Sequence, residues 1–252
     1  MPNIEAAGIV LREVKYGENS RILTVLAKDI GKISVLAGRS RSNRSGMLVA
    51  TQLFSYSNFT LFKGRENSLL KLNEAEVVSA FGDIRLSLDK IAYASYFCDI
   101  ANHICADGAE ENELLRLLLN IMFKLSKTAK AEEYLKLEAV FLLRAAACAG
   151  LAPSCGGCAA CGSETNIKTF SLSDGVFRCA DCSDKSGVCM EINDVLYKAV
   201  CFIESAEDRH MFSFSMGVKA LEYLVSVAEE YMRVQLERDF KTLDYLRNVR
   251  TL

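Results

Sequence analysis

The chain has 252 residues, half of them hydrophobic and a quarter charged, with a formal net charge of −2. Such a composition excludes a disordered or fibrous chain, and the length allows one large domain or two or three small ones. The opening MPNIEAAGIVLREVKYGE is charged throughout, and the most apolar run (139–152, AVFLLRAAACAGLA) is broken by Arg144 and shorter than the about 20 residues of a bilayer span. The expectation is a soluble, cytoplasmic protein without membrane contact.

The first eighty residues read as strands. AGIVLREV, SRILTVLA, GKISVLAG, LVATQLFSYSNFTLF (48–62) and SLLKLNEAEVV are rich in branched and aromatic residues and often alternate. YGEN (16–19) and DIGK (29–32) make short connections, while GRSRSNRSG (38–46) has no hydrophobic residue and reads as a solvated loop. Five strands without intervening helices predict an OB-fold barrel over 1–80.

Charge is segregated along the chain. Residues 1–80 carry +4 and residues 81–252 carry −6, and no acid occurs between Asp29 and Glu66. Lys32, Arg39, Arg41, Arg44, Lys63 and Arg65 all fall in that acid-free stretch. A one-sign stretch is the footprint of a polyanion, and arginine's forked donors match phosphate oxygens. These six are the candidate nucleic-acid contacts. Phe54, Tyr56, Phe59 and Phe62 could stack bases as single-strand binders do, though at least half of them should be barrel core.

From Asp83 the apolar residues take a helical period. The stripes are Tyr93, Phe97, Ile100 and Ile104; Leu115, Leu118, Met122 and Leu125; then Tyr134, Leu137, Phe141, Ala145 and Cys148. Helical pattern resumes at 191–203 and from Phe214, with Val218, Leu221, Val225, Ala228 and Met232 on one face. The prediction is an all-helical domain over 81–252, with a cysteine module inserted at 153–188.

That module, CGGCAACGSETNIKTFSLSDGVFRCADC, holds five of the ten cysteines and no histidine. Cys158–Cys161 and Cys179–Cys182 enclose seventeen residues, a spacing suited to zinc, because each CxxC curls two thiolates toward one ion. Cys155–Cys158 is also a CxxC. The first register is preferred because Gly162 can turn the chain after Cys161, and Pro153 and Ser154 place Cys155 nearer the preceding helix. KTFSL and VFRC around Ser-Asp-Gly (173–175) predict a hairpin carrying the second pair. Cys98, Cys105, Cys148, Cys189 and Cys201 read as small buried hydrophobes.

Four thiolates leave no open position for water, so the zinc is expected to be structural. A nucleobase deaminase would pair an H-x-E with its cysteines, and His103 and His210 lie near neither pair. The phosphate loop G-x-x-x-x-G-K-[ST] and the motifs G-x-S-x-G, H-E-x-x-H and G-x-G-x-x-G are also missing. No catalytic residue is assigned, and the chain reads as a non-enzyme. Residues alone leave a DNA-binding factor, a protein-recruiting adaptor and an RNA-binding OB-fold protein open.

GIVLREVKYGENSRILTVLAKDIGKISVLAGRSRS, LLKLNEAEVV, CAACG and FSLSDGVFRCADC, in this order, resemble the RecO family of bacterial DNA repair proteins over nearly the whole chain. The loop departs from the family in its Ser, Asn and Gly where many members carry basic residues or proline, and Cys155 is a second departure. The resemblance implies an OB-fold domain, a helical domain with a zinc module, and a recombination mediator. Such a mediator binds and anneals single- and double-stranded DNA and acts with RecR to load RecA on strands covered by single-strand-binding protein.

Overall fold

The computed structural model describes residues 3–18, 20–38, 45–64, 69–183 and 187–251. Packing divides the chain into two units, residues 1–127 with 241–252, and residues 128–240. The sequence texture changes near residue 81, but the packing boundary falls elsewhere. Two helices after the strands, and the last helix of the chain, pack in the same unit as the barrel.

The first unit is built on five strands: β1 (Asn3–Tyr16), β2 (Ser20–Ala27), β3 (Gly31–Gly38), β4 (Tyr56–Phe62) and β5 (Leu70–Ser79). They close into a barrel in the order β1-β2-β3-β5-β4, so each strand has a partner on both sides over part of its length. β1 is long enough to pair twice. Its first half pairs with β4, Asn3↔Phe62 to Ile9↔Tyr56, and its second half with β2 as far as Tyr16↔Ser20. The pairing with β2 begins at Gly8↔Ala27 and is interrupted by a bulge between Val10 and Arg12. The parallel pairs Val35↔Leu70 and Leu36↔Lys71 complete the closure. Alternate residues, among them Val10, Leu23, Val25, Val35, Phe59 and Leu61, fill the interior.

The segment expected to be one strand from 48 to 62 is different. A short helix, α1 (Ser45–Ala50), and a turn precede β4. Met47 and Ala50, three apart on one helical face, join the barrel core. The side chains of Thr51, Ser55 and Ser57 donate to the carbonyls of Met47, Val49 and Ala50, each at 2.8 Å, satisfying the groups this helix end would otherwise orphan. Phe54 is buried in the turn with φ 72° and lies outside β4. The β-branched residues here favoured strand by propensity, and plugging the barrel end overrode it.

After a 3₁₀ turn (Gly82–Leu86) come α2 (Leu88–Ile104) and α3 (Asn112–Lys127). The predicted stripes are their buried faces, with Tyr93, Phe97, Ile100, Leu115, Leu118, Met122 and Leu125 all in the core. α7 (Lys241–Arg250) packs along α2. There Arg250 lies over the Tyr93 ring at 5.2 Å, and Thr242 donates to Asp99 at 2.8 Å.

The second unit holds three helices, α4 (Ala131–Cys148), α5 (Asp194–Ser205) and α6 (Val218–Gln235), and a small sheet. The sheet strands are β6 (Ser154–Cys158), β7 (Ile167–Ser171), β8 (Val176–Cys179) and β9 (Cys189–Glu191), in the order β6-β8-β7-β9. β7 and β8 form the expected antiparallel hairpin. α6 begins four residues after Phe214, and Val218, as its first residue, is half exposed rather than buried. Phe170 and Phe177 stack at 4.5 Å across the hairpin, Tyr231 of α6 packs on Phe170 at 5.0 Å and Tyr197 of α5 on Phe177 at 4.9 Å. The module therefore shares its apolar core with two helices.

One half-buried cation braces two turns beside the barrel. Arg85 donates to the carbonyls of Ala80 and Leu53 and to the Ser55 hydroxyl, tying the 3₁₀ turn to the turn before β4. Burial pushes its pKa down from the usual value. Arg85→Ala removes three hydrogen bonds and should cost about 2–3 kcal/mol. The check is chemical denaturation, where an unchanged midpoint would show that the turn holds without it.

Candidate metal centre and basic barrel surface

Cys158 ends β6 and Cys179 ends β8, while Cys161 and Cys182 follow each by a turn. Their four sulfurs all lie within 4.8 Å of one another. The first curl is closed by hydrogen bonds from Gly162 N–H to Cys158 C=O at 2.7 Å and from Cys158 N–H to Ser163 C=O at 2.8 Å. Gly162 takes φ 76° at the turn. Gly157 has φ 86°, and a Cβ there would meet the Gly162 carbonyl at 2.8 Å, so only glycine fits before Cys158. The second curl is closed by Cys182 N–H to Cys179 C=O at 3.2 Å. Asp194, at the start of α5, accepts from the backbone N–H groups of Asn166 and Ile167 at 3.2 and 2.7 Å and anchors β7 beside the cluster.

The donor set fits a metal ion. Sulfur atoms at about 2.3 Å from a tetrahedral ion stand about 3.8 Å apart, and Cys161 Sγ lies 3.7 Å from Cys179 Sγ. A hydrogen bond from the Cys179 backbone, set against burial, brings the Cys158 thiol down to about 6. Bonds shared with the Cys161 and Cys179 sulfurs push Cys182 up to about 12. Four sulfurs this close cannot all be thiolates unless a cation sits among them.

Cys155 is not part of the cluster. It lies in β6, beyond the end of α4, and lines a cleft together with Cys201 of α5. The spacing argument placed it nearer the helix. Strand pairing with β8, from Ser154↔Val176 to Cys158↔Phe177, decides its position instead.

Of the six candidate cations, Arg39, Arg41, Arg44 and Arg65 lie outside the described residues. Lys63 is exposed just past β4. Lys32 is engaged: its ammonium donates to the Asn102 carbonyl at 3.0 Å and pairs with Asp107 at 3.3 Å, clasping β3 to the end of α2. The end of the β1–β2 hairpin carries further cations. Beyond the bulge at Val10/Arg12 β1 is exposed on both faces, with Arg12, Lys15 and Tyr16, Tyr16 by 54%, beside Glu13 and Glu18, and Glu13 pairs with Arg21 at 3.0 Å. The only sequence sign of this was a turn too close behind too many polar residues for a buried strand. Ser20 pairs with Gly38, so this hairpin end adjoins the end of β3. Of the aromatics, Phe54 and Phe59 are core, and Tyr56 and Phe62 are half-buried. A cleft of about 890 Å³ elsewhere on the barrel is lined by Glu5, Asp29, Glu74 and Glu76 against Lys28 alone, a surface that repels a polyanion.

Comparison with known proteins matches residues 1–81 to the family model described as Recombination protein O N terminal, and residues 85–244 to Recombination protein O C terminal. The chain belongs to the RecO family. The DNA repair protein RecO of Acetivibrio thermocellus is 33% identical over 250 residues, covering 99% of this chain and 98% of that one. RecO of Alkaliphilus metalliredigens is 29% identical, covering 98% and 99%, and RecO of Caldicellulosiruptor saccharolyticus 26%, covering 99% and 100%. As in the sequence reading, the RecO phrases run through both the barrel and the cysteine module. Among the described residues of this RecO-family chain, no helix is long and apolar enough to cross a membrane.

Two outcomes are expected in the helical unit. Serine at Cys158, Cys161, Cys179 or Cys182 should sharply reduce bound metal measured by elemental analysis, and Cys155→Ser should not; retained metal in any of the four would overturn the ligand set. Glu204 on α5 gives a pH signature. Burial, opposed by Arg144, holds its carboxyl up at about 7 against an ordinary 4.5, and its Oε1 has no hydrogen-bond partner. The folded state therefore binds this proton more tightly than the unfolded state. Its stabilising share is present below pH 4.5 and is lost as pH rises toward 7. Glu204→Gln should flatten the fall of Tm across that window; an unchanged slope would remove Glu204 as its source.

Proposed function

We propose that this chain is a non-enzymatic DNA-binding and strand-annealing protein of recombinational repair. In this reading it acts with RecR to load RecA on single-stranded DNA covered by single-strand-binding protein, in the cytoplasm and at the nucleoid. The observation that carries it is the RecO-family match along both parts of the chain, on a closed five-stranded barrel of OB type.

The phosphate contacts are drawn from Arg39, Arg41, Arg44, Lys63 and Arg65, joined by Arg12 and Lys15 of the hairpin end, with Tyr16 offered for stacking. OB folds take oligonucleotides on the face of their second and third strands, between the first-to-second and fourth-to-fifth strand loops. Arg12, Lys15 and Tyr16 lead into the first of these loops, and Lys63 begins the second. Lys32 steadies the barrel from within its own unit. Phosphate contacts neutralise two strands enough to bring them together, and base pairing then supplies the free energy, so annealing needs neither nucleotide nor base readout.

The ion held by Cys158, Cys161, Cys179 and Cys182 is zinc, which a set of four sulfurs suits. Four protein ligands fill a tetrahedron and leave no place for a reacting water, which supports a structural role. When bound, the ion fixes the two curls to each other.

The test is annealing of complementary strands by metal-replete protein without nucleotide, with single-strand affinity followed against salt. Three to six phosphate contacts predict a log–log slope of about −2 to −4, and the triple variant Arg39→Ala, Arg41→Ala, Arg44→Ala should bind at least about tenfold more weakly. A flat salt response or an unaltered triple variant would sink the phosphate contacts. Binding confined to RNA would favour an RNA-processing role, and no binding to any nucleic acid would leave a protein-recruiting adaptor.

A further inference from the structure

The cysteine left out of the metal cluster has a partner of its own. Cys155 on β6 and Cys201 on α5 line one open cleft of about 320 Å³, where each thiol alters the other's hold on its proton. Both are partly exposed, whereas Cys98 and Cys105 are buried. Tyr197 precedes Cys201 by one helical turn and lies on the same face. Its hydroxyl donates to the Cys155 carbonyl at 3.0 Å and accepts from Gly157 N–H at 2.9 Å. One side chain of the Cys201 helix thus pins the backbone of the strand that carries Cys155. Neither sulfur belongs to the group whose donors could hold an ion, so the chemistry open to them is that of a dithiol.

We propose that Cys155 and Cys201 form a peroxide-reactive dithiol that closes to an intramolecular disulfide, tying β6 to α5 beside the metal module. The Cys201 thiolate attacks one oxygen of hydrogen peroxide. The O–O bond breaks, leaving a sulfenic acid on Cys201 and a hydroxide that takes up a proton to become water. The Cys155 sulfur, giving up its proton, then attacks the Cys201 sulfur; the S–O bond breaks and a second water leaves. Two thiols and one peroxide give one disulfide and two waters, the two electrons passing from sulfur to oxygen.

The surroundings assign the roles. The hydrogen bonds from Cys155 and then Tyr197 pull the Cys201 thiol down, against burial and the Glu204 and Glu164 carboxyls. The same bond to Cys201, with burial, pushes Cys155 far up. Lys198 is the cation lining the cleft. With Lys198 and the Tyr197 hydroxyl on its own helix at the cleft, Cys201 is assigned the attack and Cys155 the resolving step, and the dimedone trap reads which sulfur is oxidised first.

The experiment treats full-length, metal-loaded protein with one to a few equivalents of peroxide, quenches by alkylation, and combines non-reducing peptide mapping with a dye that reports released metal. The expected product joins the tryptic peptide 199–209 to Cys155 while the metal stays bound. In Cys155→Ser, dimedone should trap a sulfenic acid on Cys201. In unoxidised native protein, Cys201 should alkylate at least about tenfold faster than Cys148. Metal release or a disulfide among Cys158, Cys161, Cys179 and Cys182 before any Cys155–Cys201 link would overturn the proposal. So would a dimedone adduct formed elsewhere. Mapping of the native protein decides the matter even if a variant fails to fold.

Discussion

The stacking of Phe170 on Phe177 sets the geometry of the second unit. A hairpin as short as β7–β8 cannot bury an apolar face by itself, since an isolated pair of strands is marginal in water. Its two rings are buried because Tyr231 and Tyr197 close over them from α6 and α5. A register shift between Ile167 and Thr169 then pairs Ile167 with Cys179 at the end of β8, where that sulfur joins the cluster. β8 also lies beside β6, so Cys158 meets Phe177 in the ladder. The metal-type site and the dithiol cleft both descend from this contact, because Tyr197, which packs on Phe177, is also the side chain that bonds Cys155 and Gly157.

The first unit solves a different problem. Five strands must all find partners, and β1 does so by serving β4 with its first part and β2 from Gly8 onward through a bulge. Beyond the bulge the hairpin end presents exposed charges and an aromatic together. Charge on the barrel is not uniform: the cleft bordered by β4 and β5 is acidic, whereas the hairpin end mixes Arg12 and Lys15 with Glu13 and Glu18, Glu13 being paired with Arg21.

Cysteine chemistry is partitioned in the same economical manner. Four sulfurs gather where two tight curls face each other. A fifth, only three residues upstream, is turned to a helix by strand pairing and meets a sixth there. A strand places successive side chains on opposite faces, whereas the curl after Cys158 turns its sulfurs inward, and this change of backbone geometry separates the two sets.

Much of this was legible in the residues. The limits of β2, β3 and β8 coincide with runs that alternate between turn signals, and the helical stripes at 93–104, 115–125 and 134–148 mark buried faces, because both periodicities are local properties of the backbone. The hairpin between the cysteine pairs and the RecO phrases were equally plain. Tertiary structure alone decided the rest. Residues 45–50 form a helix whose Met47 and Ala50 join the barrel core, where a strand was expected from 48. Lys32, one of six cations alike in sequence, was spent on Asn102 and Asp107, seventy or more residues away, and Arg85 partly on the Leu53 carbonyl, thirty-two residues back. The meeting of Cys155 with Cys201 spans forty-six positions and depends on a strand docking against a helix. Spacing can specify which groups curl around a common point, but it carries no information about contacts between segments that only the folded core brings together.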